Sequence, residues 1–161
     1  MSSIRATPSR SAVYDALVKA EPAILRGVNC FLKSLLLWVI PENRLLTEEM
    51  VLNLYIALEA GLSTIRRRLS AAAGRSVSYA DVFDFVAANF TAGEGLAEYW
   101  QDAHDDRNAL LHPDNDFSPY VVQPMHVDDI WELFDPMISL YRYVLLGEQR
   151  PSIEEITGQA E

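Results

Sequence analysis

TEEMVLNLYIALEAGLSTIRRRLSAAAG, residues 47–74, is the stretch that sets the fold class. Val51, Leu54, Leu58, Leu62, Ile65 and Leu69 recur at steps of 3 or 4, the period that puts side chains on one face of an α-helix. Glu48 and Glu49 stand in the first turn, where the helix dipole favours acids, and Arg66, Arg67 and Arg68 stand near the last turns, where it favours bases. Gly74 is the stop. Upstream, Pro41-Glu42-Asn43 reads as a turn, and before it a helix runs from Pro22 to about Ile40. Arg26, Asn29, Lys33 and Ser34 interrupt the apolar run 23–40 and read as one polar stripe, so this is a helix with a buried face rather than a membrane span. A further helical stretch from about Ser11 breaks at Glu21-Pro22, and residues 1–10 read as a loose arm.

Downstream, Ser78 with Asp81 three residues on forms a capping-box start for a short helix to about Phe90. Another helix is expected from near Glu94 or Gly95 to about Leu111, where His112-Pro113 ends it. Residues 113–125 then hold three prolines and no periodicity, a long loop of the kind often used for function. The last helix spans Val127 to Leu146, with a core stripe of Ile130, Phe134, Met137, Tyr141 and Val144, an expected kink at Pro136 and Gly147 as its stop. Only Tyr120-Val121-Val122 has any strand character. The expectation is an all-α, up-and-down bundle of four main helices plus a short one, a single domain over 11–148 followed by an acidic tail, 149–161.

Composition narrows the function classes. With 161 residues and 50% hydrophobic content the chain can bury a core, which excludes a disordered segment or a disulfide scaffold. Cys30 has no second cysteine to pair with, and the polar lead SSIRATPSRS is unlike a secretion signal, which together point to a reducing, cytoplasmic setting. The net charge of −10 is uneven: residues 1–75 carry 10 basic and 6 acidic side chains, residues 76–161 carry 3 and 17. General attraction to nucleic acid is excluded, so RNA contact requires a local patch. Arg66, Arg67 and Arg68 are the best candidates for one, against the alternative of a solvated face at a helix end.

Chemistry concentrates in YWQDAHDDRNALLHPDND, residues 99–116. The line Leu96, Trp100, Ala103, position 107, Leu110 steps by 4, 3, 4 and 3, so Arg107 falls on an apolar seam. A guanidinium there must be paired with a carboxylate or point into a groove. Asn108 adds a donor and an acceptor, and His112 closes the helix, where the dipole favours its protonated form. His112 bonded to nearby carbonyls is the plainer alternative.

The run Arg107-Asn108-x-x-x-His112 resembles the R-x(4 to 6)-H signature of the HEPN domains, with the polar residue that commonly follows the arginine. The resemblance extends to the helix pattern over roughly 22–147. It implies a helical bundle, a homodimer, and a metal-independent endoribonuclease in which Arg107, Asn108 and His112 line the cleft, in a toxin or defence setting. Such chemistry needs a base for the 2′-hydroxyl, an acid for the leaving oxygen and a cation for the developing charge; two copies of His112 and Arg107 across a dimer axis would supply them. In the HEPN toxins paired with a nucleotidyltransferase antitoxin, a tyrosine two residues past the histidine is adenylylated; Asp114 stands there, so that regulation is not implied. The competing reading is a non-catalytic HEPN-like dimerisation or adaptor module whose acidic second half meets a protein partner. No metal or cofactor is expected: His104-Asp105 resembles the dipeptide of the HD phosphohydrolases, but no histidine precedes it, and a Glu-x-x-His motif is absent.

Overall fold

The computed structural model describes residues 9–40, 46–90, 100–105 and 127–147. Of these, 89% are helical and none lies in a strand. The elements are α1 (Arg10–Lys19), α2 (Pro22–Trp38), α3 (Thr47–Ala73), α4 (Tyr79–Phe90), α5, described over 100–105, and α6 (Val127–Leu146). The all-α expectation therefore holds.

Local chemistry accounts for the boundaries. Ser9 caps α1 by accepting from the Ala12 amide at 3.1 Å, one residue inside the segment expected to be a loose arm. Pro22 opens α2 in its first turn, where a missing N–H costs nothing. Gly74 ends α3 at φ 65°, a left-handed conformation that disfavours any residue with a Cβ. The capping box of α4 is reciprocal: the Ser78 amide donates to Asp81 Oδ2 at 2.9 Å and the Asp81 amide donates to Ser78 Oγ at 3.2 Å. The Ser78 hydroxyl, donating to Asp81 Oδ2 at 2.8 Å, and then the Ser78 amide hold the Asp81 carboxyl below its usual range. The last helix runs through Pro136 without a break, and Gly147 closes it at φ 68°.

The centre of the bundle is α3, which is buried along two adjacent lines. The large one, Val51, Leu54, Leu58, Leu62 and Ile65, is the expected stripe up to Leu69, which is only half-buried. Beside it runs a small-residue line, Asn53, Ala57, Gly61 and Thr64, which lets neighbouring helices come close. A Cβ on Gly61 would lie 2.5 Å from Leu140 of α6. A Cβ on Gly27 of α2 would overlap the Tyr141 hydroxyl and lie 2.8 Å from Ala60. That hydroxyl is fixed, because it donates to the Ala57 carbonyl at 2.8 Å while its ring stacks on Phe31 at 6.0 Å. The α6 stripe is buried at Phe134, Met137, Tyr141 and Val144; the Ile130 side chain lies outside the described residues.

The polar stripe expected on α2 needs correction at Ser34. Arg26, Asn29 and Lys33 are exposed, but Ser34 continues the buried line of Ile24, Gly27 and Phe31 and donates its hydroxyl to the Met50 carbonyl at 2.8 Å. A hydroxyl with a backbone partner can be buried where a charge cannot. The opposite face of α2 holds Leu25, Leu32 and Leu36, with the C-cap Val39 just past its end, exposed by 43%, 51%, 64% and 72%.

Gly27→Ala tests the helix crossing. Helix propensity alone would reward the change by about 1 kcal/mol, whereas displacing a bonded tyrosine in a filled core costs about 1–3 kcal/mol. The expected outcome in urea unfolding is net destabilisation; a gain in stability would show that Tyr141 yields freely.

Candidate functional site

Arg107, Asn108 and His112, and the 113–125 loop, lie outside the described residues. The helix that leads to them is described over 100–105. There Trp100 is fully buried and Ala103 nearly so, and both belong to the apolar line on which position 107 falls in the sequence.

His104 lies within the same turn and sits in a polar cluster built by three helices. Its ring centroid is 4.5 Å from Tyr79 and 5.5 Å from Phe83, both on α4. Its Nε2 lies 3.8 Å from Glu59 Oε2 of α3, and its Nδ1 lies 3.6 Å from Asp105 Oδ1. Glu59 in turn accepts a 2.7 Å hydrogen bond from the Tyr79 hydroxyl. Arg66 covers the Tyr79 ring at 4.9 Å and donates from Nε to the Val77 carbonyl at 2.8 Å. Burial pushes the Tyr79 hydroxyl up to about 12, and the Glu59 bond and charge add to the rise, while Arg66 opposes it.

The arginine triplet is divided among three tasks, as consecutive residues 100° apart on a helix must be. Arg66 is taken up by Val77 and Tyr79. Arg67 pairs with Glu21, the residue just before α2, at 2.6 Å and donates to Thr64 Oγ1 at 3.1 Å. Arg68 is exposed beside a cleft where α1, α2, α3 and α6 meet. Of the three arginines considered for RNA contact, Arg67 and Arg68 are exposed, Arg67 within a surface ion pair, while Arg66 is half-buried on its partners.

The Glu59, Tyr79 and His104 cluster joins residues from three separate helices, and spacing along the chain gives no sign of it. The only hint is a charged Glu59 inside the apolar run YIALEAGL, residues 55–62. The cluster can hold α5 against α3 and α4 through the His104 ring packed on Tyr79 and Phe83 and its 3.8 Å approach to Glu59, while the Tyr79 hydrogen bond to Glu59 joins α4 to α3. Among the described residues no group of three or more His, Cys, Asp and Glu side chains is placed to hold a metal ion, and no helix is long and apolar enough to cross a membrane. No family model, curated protein or solved structure matches the chain.

Tyr79 provides a direct readout of the cluster. Because its folded value is raised above that of a free tyrosine, its contribution to stability is present below about pH 10 and is lost as pH rises through about 12. Phenolate absorbance should show one tyrosine ionising at about 12, absent in Tyr79→Phe and shifted toward 10 in Glu59→Gln. An unshifted titration in Glu59→Gln would place the whole effect in burial.

Proposed function

We propose that the chain is a HEPN-like, metal-independent endoribonuclease acting as a cytoplasmic homodimer, with Arg107, Asn108 and His112 lining the cleft in a toxin or defence setting. The observation that carries this reading is the burial of Trp100 and Ala103 on one helical line, since the same 4-3 step in the sequence arrives next at Arg107. An arginine at that register is drawn to a partner or to a groove, and with a histidine five residues on it suits phosphate chemistry. The all-α frame agrees with the family resemblance.

The face of α2 supports association with a second copy. Leu32, Leu36 and Val39 step by 4 and 3 along the solvent side, with Leu25 two turns before them across the exposed Asn29. A second chain that covers it would bring two motifs into one assembly and supply both an acid and a base.

A second reading is favoured by the arginine triplet. With Arg66 held by Val77 and Tyr79, Arg67 partly neutralised by Glu21 at the surface, and 17 acidic residues in positions 76–161, the surface suits a protein partner better than a phosphate backbone. In that reading the chain is a non-catalytic HEPN-like dimerisation or adaptor module.

Two measurements separate the readings. In excess chelator the wild-type protein should cleave a mixture of tRNA and mRNA, and His112→Ala or Arg107→Ala should each slow cleavage by about a hundredfold or more. Inertness of all three proteins toward RNA would remove the nuclease reading and leave the adaptor. In sedimentation equilibrium the wild type should be dimeric, and Leu32→Glu with Leu36→Glu should yield a folded monomer, because both positions are exposed in the single chain. A dimer that survives both changes would place the interface elsewhere.

A further inference from the structure

The solvent face of α2 is apolar and cationic at once. Leu25, Leu32 and Leu36 are exposed along it, and beside them Arg26, Asn29 and Lys33 are exposed too. The path Arg26, Asn29, Lys33, Leu36 steps by 3, 4 and 3, the spacing of neighbours on a helix surface, so the two cations border the leucines. Val39 and Ile40 add exposed apolar surface just past the end of the helix. No acid occurs in PAILRGVNCFLKSLLLW, residues 22–38. Among the described residues neither Arg26 nor Lys33 takes part in an ion pair, and Glu21, just before the helix, is matched by Arg67.

That composition selects the occupant. Covering the leucines removes apolar area from water, yet an occupant that brings no carboxylate leaves Arg26 and Lys33 partly desolvated and unmatched. In a pair of α2 helices, whatever their direction and register, the facing helix has no acid to offer. A phosphate backbone would satisfy the cations and leave the leucines in water. An anionic bilayer is opposed by the chain's net charge of −10. An amphipathic helix with apolar residues at a 3-4 step and Asp or Glu alongside meets both demands.

We propose that this face of α2 docks an acidic amphipathic helix of a partner protein, in competition with a second copy of the chain. The competition rests on the dimer reading above; the docking does not. Where assembly would bring two motifs together, such a partner keeps them apart.

The test uses the full chain and two fluorescent helical peptides of about five turns, one with Leu at a 3-4 step flanked by Glu, the other with Lys in place of every Glu. In anisotropy titrations at low salt the Glu peptide should bind about tenfold or more tighter than the Lys peptide, and the preference should shrink in 1 M salt. Arg26→Glu with Lys33→Glu should reverse the preference, and Leu32→Glu with Leu36→Glu should abolish binding of the Glu peptide. All four positions are exposed, so a retained cooperative urea transition separates loss of docking from loss of fold. Equal binding of the two peptides would overturn the docking, as would no binding, or a preference indifferent to Arg26→Glu with Lys33→Glu. Binding to phosphatidylserine vesicles that is lost in Leu32→Glu with Leu36→Glu, with neither peptide bound, would assign the face to a membrane and likewise overturn it. In sedimentation equilibrium the Glu peptide should convert the dimer into single chains. A dimer that persists with peptide bound would overturn the competition, whereas a chain already monomeric before peptide is added would remove the dimer reading and not the docking.

Discussion

The bundle depends on the crossing where Tyr141 of α6 enters between α2 and α3. The missing Cβ of Gly27 admits its hydroxyl, the Ala57 carbonyl accepts its proton, and Gly61 beside it admits Leu140. Burial raises the ionisation of the Tyr141 hydroxyl above the ordinary tyrosine range, so it stays a neutral donor even in alkaline solution where a free tyrosine ionises. With three helices held at one point by small residues, the large stripe of α3 is left to fill the remaining core. The Ser34 bond to Met50 repeats the same solution one end further along α2, a short polar side chain spending its hydrogen bond on a neighbouring helix.

That arrangement decides what the surface can offer. Turning Ser34 and Gly27 inward turns Leu25, Leu32 and Leu36 outward, so α2 is apolar on two sides and presents a face for association. Turning Tyr141 and Val144 inward brings the end of α6 to α1, where Lys19 and Arg68 edge the cleft. On the other side of α3, Glu59 meets Tyr79 and His104, and these contacts tie α5 to α3 and α4 just before the Arg107 motif in the chain. Separate faces of α3 thus serve the core, the α5 attachment and the edge of the cleft beside α1.

Several features were legible residue by residue. The 3-4 spacing of α3, Pro22 at the start of α2, the Ser78 and Asp81 box and the two glycine stops all lie within a turn of the chain that they control, where local energetics suffice. Ser34 was misread because hydropathy scores a hydroxyl by its cost in apolar surroundings and cannot know that the Met50 carbonyl faces it. The arginine triplet looked like one patch, yet the helix fans its members toward different neighbours. The candidate cleft residues Arg107, Asn108 and His112 rest on the sequence motif, with Trp100 and Ala103 supplying the packed end of the helix that leads to them.

By itself the sequence determined the helical class, the ends of the helices and the stripe of large residues on α3, because each follows from interactions within a few residues along the chain. Only the tertiary structure decided that Gly27, Ala57 and Gly61 form a crossing, that Glu59 finds Tyr79 and His104, and that Leu32 and Leu36 face solvent. Those outcomes depend on which helices meet and at what depth. Small residues and single polar groups take their energetic meaning from the partner across the interface, and periodicity along one helix carries no information about that partner.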